Sequence, residues 1–305
     1  MPYITPADLK GSVTQFISAQ GTSGVDFTLY SDTQLTSLIS CVSNEIDGFC
    51  RQTFQLTNIQ ERYMGRGTNI LRLRRYPLAQ IPDSVFGGSG QVSQSLVCDT
   101  TTTAPVAKGH TSVPVADASD FVAGQYLQWG DGSGETGIGV TAVTASTIDA
   151  TGTLTLKSGL AYAHDSGARV VVNTLDFIDI VLPGQSIYPI PISQLVVDAE
   201  KGLIINYTPL MFQNLGYATI FPNMLPLLAR YTYGFRSGQV PPAFQDAVIE
   251  QCRRTVLRYG NLAAQGVKQW RIDDQSMTFA DWKPAPLEAD LMEQLGPYRR
   301  NVGFA

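Results

Sequence analysis

Histidine, cysteine and paired carboxylates are the side chains through which a chain of this size most readily does chemistry, and here they are few and scattered. The two histidines, His110 and His164, fall in a strand-rich stretch with several strands between them, so spacing gives them no common metal or acid–base partner. His164, within Tyr162-Ala163-His164-Asp165, reads as a turn residue or a hydrogen-bonded surface imidazole. The four cysteines, Cys41, Cys50, Cys98 and Cys252, have neither C-x-x-C spacing nor a nearby histidine, which removes the usual zinc patterns. Cys41 and Cys50 fall on one expected helix, roughly 13 Å apart and too far for a disulfide, so all four read as reduced, mostly buried thiols. Gly130-Asp131-Gly132-Ser133-Gly134-Glu135 offers two carboxylates in a glycine-rich loop, but it is too short for an EF-hand and reads as a hairpin turn. A polysaccharide hydrolase would need two carboxylates facing one cleft, with Asp131 and Glu135 the pair to test, and the sequence marks no such cleft. Asp273-Asp274 reads as solvated charge. No G-x-S-x-G, phosphate-loop or dinucleotide fingerprint occurs, and the expectation is a protein without catalytic residues, cofactor or metal.

Arginines make the other concentrations of chemistry. Arg62, Arg66, Arg72, Arg74 and Arg75 form the densest basic cluster, and Arg253, Arg254 and Arg258 crowd one helix. A chain of net charge -5 and isoelectric point near 5 is a poor candidate for gripping nucleic acid by its phosphates, so both clusters read first as solvated or intersubunit faces. An acidic or neutral wall still lets DNA pass. Charged residues are only 15% of the chain against 44% hydrophobic, a surface suited to packing against neighbours. Met1 to Pro6 has no basic or apolar signal region, and Pro222 and Pro226 break the best membrane candidate, Tyr217 to Tyr231, so a soluble protein made in a cytoplasm is expected.

The positioning elements follow from periodicity. Thr5-Pro6-Ala7-Asp8 starts a short helix, and Ser31 with Gln34 makes a capping box ahead of Leu35, Leu38, Ile39, Val42, Ile46 and Phe49 at helical spacing. From Gln60 to Arg75 the period becomes two around Gly65 to Asn69, which predicts a hairpin closed by Tyr76-Pro77. Leu96 to Asn173 is rich in Thr, Ser, Val, Gly and Asp, predicting strands at Ser112 to Val115, Tyr126 to Trp129, Ile138 to Val143, Gly152 to Leu156 and Ala168 to Val172. From Leu96 to Val172 three basic residues face seven acidic ones, so this stretch carries -4 of the net charge. Strands at Gln194 to Val197, Leu203 to Asn206 and Leu228 to Phe235 follow, and Pro241-Pro242 opens the longest helix, with Phe244, Val248, Cys252, Thr255 and Tyr259 on one face. The expectation is an α+β fold with a helical core and a β-hairpin or small sheet over residues 1–95 and 174–260. An all-β insertion, sandwich or small barrel, is expected over 96–173, with an extended tail at 261–305 carrying one helical turn near Leu287 to Leu295.

Several of these segments, in this order, resemble the head-tail connector (adaptor) family of tailed bacteriophages. They are the two N-terminal helices, Glu61-Arg62-Tyr63-Met64-Gly65-Arg66-Gly67, Leu71-Arg72-Leu73-Arg74-Arg75-Tyr76-Pro77-Leu78, Val196-Val197-Asp198-Ala199-Glu200-Lys201-Gly202-Leu203, Tyr231-Thr232-Tyr233-Gly234-Phe235, and Val240-Pro241-Pro242 with its helix. They span roughly half of the chain, and the β insertion lies outside the pattern. The resemblance implies a non-enzymatic virion protein at the head–tail interface, a ring of twelve subunits below the portal protein, joined to a neck, stopper or tail protein, through which DNA passes without specific binding. The implied portal-docking residues of the tail are Trp270, Phe279, Trp282, Tyr298, Arg299 and Arg300; those at an intersubunit or channel face are Arg72, Arg74, Arg253, Arg254 and Arg258. The alternative is another tail or baseplate subunit whose β module stacks a host glycan on Tyr126 and Trp129.

Overall fold

The computed structural model describes residues 3–12, 25–81, 95–131, 133–145, 150–181, 187–190, 195–206, 221, 223–236, 239–264 and 286–299. The fold is α+β, with most of the regular structure in three antiparallel sheets, and the chain forms two compact units, Met1–Gln55 with Gln239–Ala305, and Leu56–Gly238. No helix among the described residues is long and apolar enough to cross a membrane.

The first unit is helical. Helix α1, described over residues 6–12, is capped by Thr5, whose hydroxyl accepts from the Asp8 amide while the Asp8 carboxylate accepts from the Thr5 amide. Helix α2 (Asp32–Cys50) has the expected capping box, Ser31 and Gln34 satisfying each other's backbone amides. It buries Leu35, Leu38, Ile39, Val42 and Ile46 and stops where Arg51 turns left-handed at φ 58°. Helix α3 (Pro242–Ala264) presents Phe244, Val248, Cys252 and Val256 on its buried side. Tyr3, Phe54, Phe244 and Tyr298 meet edge-to-face at ring-centroid separations between 4.9 and 6.0 Å, each aromatic edge resting on the next ring's face. Helix α4 (Ala289–Leu295) packs Leu291 and Leu295 into this unit, so the described part of the C-terminal stretch is a docked helix and not an extended tail. Three of the cysteines are buried and Cys41 is half-buried, all as free thiols, and burial pushes the Cys50 thiol up to about 12.

The second unit is entirely β in its regular elements. Strands β1 (Thr57–Met64) and β2 (Ile70–Arg72) do not pair with each other, contrary to the expected hairpin. β1 pairs along all eight residues with β13 (Pro226–Tyr233), and β2 pairs with β12 (Leu203–Asn206). The intervening glycine turn is a corner between sheets: the Gly65 amide bonds Leu225 and the Gly67 amide bonds Phe221. One sheet runs β1-β13-β9-β10, with β9 (Leu175–Val181) and β10 (Ile187–Ile190); the other runs β11-β12-β2, with β11 at Leu195–Asp198. The β11–β12 turn needs glycine at Gly202, where φ is +61° and a Cβ would meet Tyr76 at 2.9 Å. The two sheets close over one core that includes Leu71, Leu73, Ile178, Ile204, Leu227 and Tyr231.

The third sheet contains β3 (Leu96–Thr101), β4 (Ser112–Val115), β5 (Tyr126–Trp129), β6 (Thr136–Ala145), β7 (Gly152–Leu156) and β8 (Arg169–Asn173), in the order β3-β8-β5-β6-β7-β4. Its two ends then meet: Thr102 bridges Val115, and the Ala116 and Thr103 amides bond the carbonyls of Thr101 and Pro114. The sheet is therefore a small closed barrel, which removes its edge strands. Inward residues such as Val113, Leu127, Val140, Leu154, Val170 and Val172 fill it. Barrel and sandwich join through the ion pair Arg236–Asp120 at 2.7 Å, the Tyr126 amide donating to the Asp176 carboxyl, which Asn58 Nδ2 also bonds at 2.8 Å within the sandwich, and Arg230 stacked over Tyr126.

Candidate functional site

A buried cluster of titratable groups lies at the end of the barrel away from that joint. β5 ends at Trp129, the glycine loop turns back into β6, and the segment before β8 crosses in front of them, held by mutual backbone bonds between His164 and Val106. His164 is fully buried there, its imidazole stacked on the Trp129 ring at 3.6 Å and 4°. Nδ1 lies 2.5 Å from Asp131 and Nε2 lies 2.7 Å from Glu135. Each ring nitrogen thus faces a carboxyl oxygen at hydrogen-bond distance. Glu135, 4% exposed in its side chain, also accepts from the amides of Ala161 and Tyr162. Partial burial works against ionisation of Asp131, but hydrogen bonds from His164 and Ser133 outweigh it and hold its carboxyl down at about 2.

This corrects the expectation of a surface imidazole. Both ring nitrogens are engaged within the protein, and Asp131 and Glu135 face one imidazole instead of a cleft. The arrangement is a clamp that fixes the glycine loop to residues 161–165. Trp129, 4% exposed with His164 covering a face, is a core residue and not a glycan platform, and Arg230 covers Tyr126. The expected hairpin turn at Gly130 to Glu135 does join paired strands. Among the described residues no group of three or more His, Cys, Asp and Glu is placed to hold a metal ion.

A second network ties the sandwich together. Glu61 accepts from the hydroxyls of Tyr63 at 2.5 Å and Tyr231 at 2.7 Å, the two hydroxyls lie 3.0 Å apart, and the Arg74 amide donates to Tyr63. Burial raises both phenols, so they stay protonated donors. Arg74 lies over the Tyr63 ring, and Arg75 approaches Glu61 at 4.0 Å. Arg72 is exposed. At the joint, burial raises Asp176 to about 7 despite bonds from Asn58 and the Tyr126 amide and the nearby charge of Arg230.

The remaining expected interface residues divide three ways. Arg253 forks onto Glu250, and Arg254 reaches Glu250, Glu288 and Asp290 at 2.7 to 2.9 Å, so both are held by acids of their own unit. Tyr298 joins the aromatic cluster and its carbonyl accepts from Gln52, while Arg299 lies over Phe49. Trp270, Phe279, Trp282, Arg300 and the side chain of Arg258 lie outside the described residues.

No family model, curated protein or solved structure matches this chain. Any functional reading therefore stands on the residues and their geometry.

Proposed function

We propose that this chain is a structural virion subunit of a tailed bacteriophage, a head–tail connector that assembles as a ring beneath the portal, contacts the neck or tail protein below, and surrounds the DNA path without catalysing a reaction. The observation that carries the reading is the convergence of the resembling segments. Glu61, Tyr63, Arg74 and Tyr231 share one hydrogen-bond network. The Leu73 amide bonds Gly202, the Leu78 amide bonds Ala199, and the Gly234 amide bonds Pro77. Segments up to about 170 residues apart in sequence thus build one sandwich, while the stretch outside the pattern closes on itself as a barrel. A shared ancestry of those segments accounts for both facts. In this reading α2 and α3 form the helical adaptor core, and the virion is where the protein resides.

The test is co-elution of the full chain with the cognate portal protein, comparing wild type with Trp270→Ala/Trp282→Ala. Substitution is preferable to truncation, because removing everything after α3 would also remove α4 from the helical unit. Wild type joining the portal, with at least a tenfold loss in the double variant, supports both the connector and the docking role of the tail. Wild type that never joins the portal contradicts the connector.

A further inference from the structure

The segment from Leu287 to Arg299 lies on the helical unit as a ligand lies on a receptor. Leu287, Leu291 and Leu295, spaced four apart into and along α4, are 9, 2 and 0% exposed, while Glu288, Ala289, Asp290, Met292 and Glu293 face solvent. One apolar stripe is buried and the opposite side is wet, the pattern of an amphipathic helix laid in a groove. Helices α2 and α3 build that groove together. On α3, the Ala243 carbonyl accepts from Gln294 Nε2 at 2.6 Å, and Arg254 holds Glu288 and Asp290. At or just past the end of α2, Gln52 Nε2 donates to the Tyr298 carbonyl at 3.2 Å and Phe49 lies under Arg299. The Tyr298 ring meets both Phe54 and Phe244, at 6.0 and 5.3 Å.

This contact is separable from the rest of the unit. With seven residues, α4 is too short to persist as a helix in water without a surface to dock on. The Met292 amide bonds Glu288 and the Arg299 amide bonds Gly296, so this part of its backbone is satisfied within the segment. The ion pairs to Glu288 and Asp290 reach exposed acids and add little holding energy. The groove, in turn, has support of its own. Tyr3 meets Phe244 edge-to-face at 4.9 Å, Phe244 meets Phe54 at 5.1 Å, and the Phe54 amide donates to the Tyr3 hydroxyl at 2.8 Å. Helices α2 and α3 also join directly, through Gln251 Nε2 donating to Glu45 at 2.9 Å.

We infer that the groove across α2 and α3 is a helix-docking site that the chain fills with its own residues 287–299, and that this strap docks and leaves as one unit while α2 and α3 stay packed. Undocking melts α4, because its leucine stripe then faces water and seven residues do not hold a helix alone. It also uncovers the parts of Phe54 and Phe244 that Tyr298 meets, and frees Arg254 from Glu288 and Asp290 while Glu250 still holds it. The bared site fits a ligand with the chemistry of the strap itself: a short helix with leucines four apart, acids at its start and an aromatic after its last turn.

The experiment is amide hydrogen exchange of the full chain, read by mass spectrometry in the strap and in the buried stretches 39–46 of α2 and 248–255 of α3. The strap is expected to exchange as one unit, at least hundredfold faster than α2 and α3 yet at least tenfold slower than unstructured chain. The variant Leu291→Glu/Leu295→Glu is expected to lose protection in the strap and keep it in α2 and α3. A fluorescent synthetic peptide of residues 286–299 is then titrated to about 1 mM, the order of concentration that a tether supplies. It is expected to bind that variant, and to bind wild type, whose groove is filled, at least tenfold more weakly. A peptide carrying the same two substitutions is expected not to bind. A wild-type strap that exchanges at the rate of α2 and α3, or with no protection at all, would overturn the inference. So would a variant in which α2 and α3 lose protection with the strap, or a peptide that binds neither protein or both alike.

Discussion

Two single residues carry distinct electrostatic consequences. His164→Ala would leave the buried Glu135 carboxyl without the imidazole that it bonds, and stripping a buried polar group of its partner costs about 1–3 kcal/mol. Chemical denaturation should show that loss, with the largest increase in amide exchange at residues 161–165. Asp176 acts in the opposite sense. Its folded value of about 7 lies above the roughly 3.9 of an unfolded aspartate, so the folded state binds the extra proton. Stability is therefore full below about pH 4, declines as pH rises toward 7, and the accumulated loss reaches up to about 4 kcal/mol at pH 8. Asp176→Asn keeps an acceptor for Asn58 and the Tyr126 amide but cannot ionise, so it should melt higher than wild type at pH 8 and close to it at pH 4.5; equal melting at pH 8 would refute the assignment. Neither site was legible in the sequence. His164 meets carboxylates 29 and 33 residues away and Asp176 meets Asn58 across 118, and no local spacing encodes such encounters.

At the scale of elements, burial should outweigh surface charge. Leu291→Ala, on the buried face of α4, should cost about 2–4 kcal/mol, whereas removing the exposed acids that hold Arg254 to α4, Glu288→Ala/Asp290→Ala at 67 and 61% exposed, should cost under about 1 kcal/mol. The reverse order in thermal denaturation would mean that the salt bridges, and not the leucines, dock α4. Helices α2 and α3 and strands β4, β5 and β7 were readable because their signal is local: a cap, a proline, a period of 3.6 or 2. The pairing of β1 and β2 was not, because a strand does not state its partner. The Gly65 to Asn69 turn looks like a hairpin from within, yet β1 gains an eight-residue register with β13, which the hairpin could not offer to the three-residue β2. Strands β9 and β10 also escaped notice, their alternation in Leu175–Val181 diluted by Asp176 and Asp179. The barrel's closure depends on Thr102 and Val115, between strands that are neighbours in sequence but ends of the sheet in order.

For the whole molecule, the connector reading ascribes the segments between Glu61 and Phe235 that resemble the connector family to one sandwich and the barrel to an addition that the ring must accommodate. The measurement that bears on this most directly is electron microscopy of the purified chain mixed with its cognate portal, classified without imposed symmetry. The account predicts a ring of chain subunits coaxial with the portal, with an open central channel. Portal particles bare of added density, alongside free monomeric chain, would contradict it.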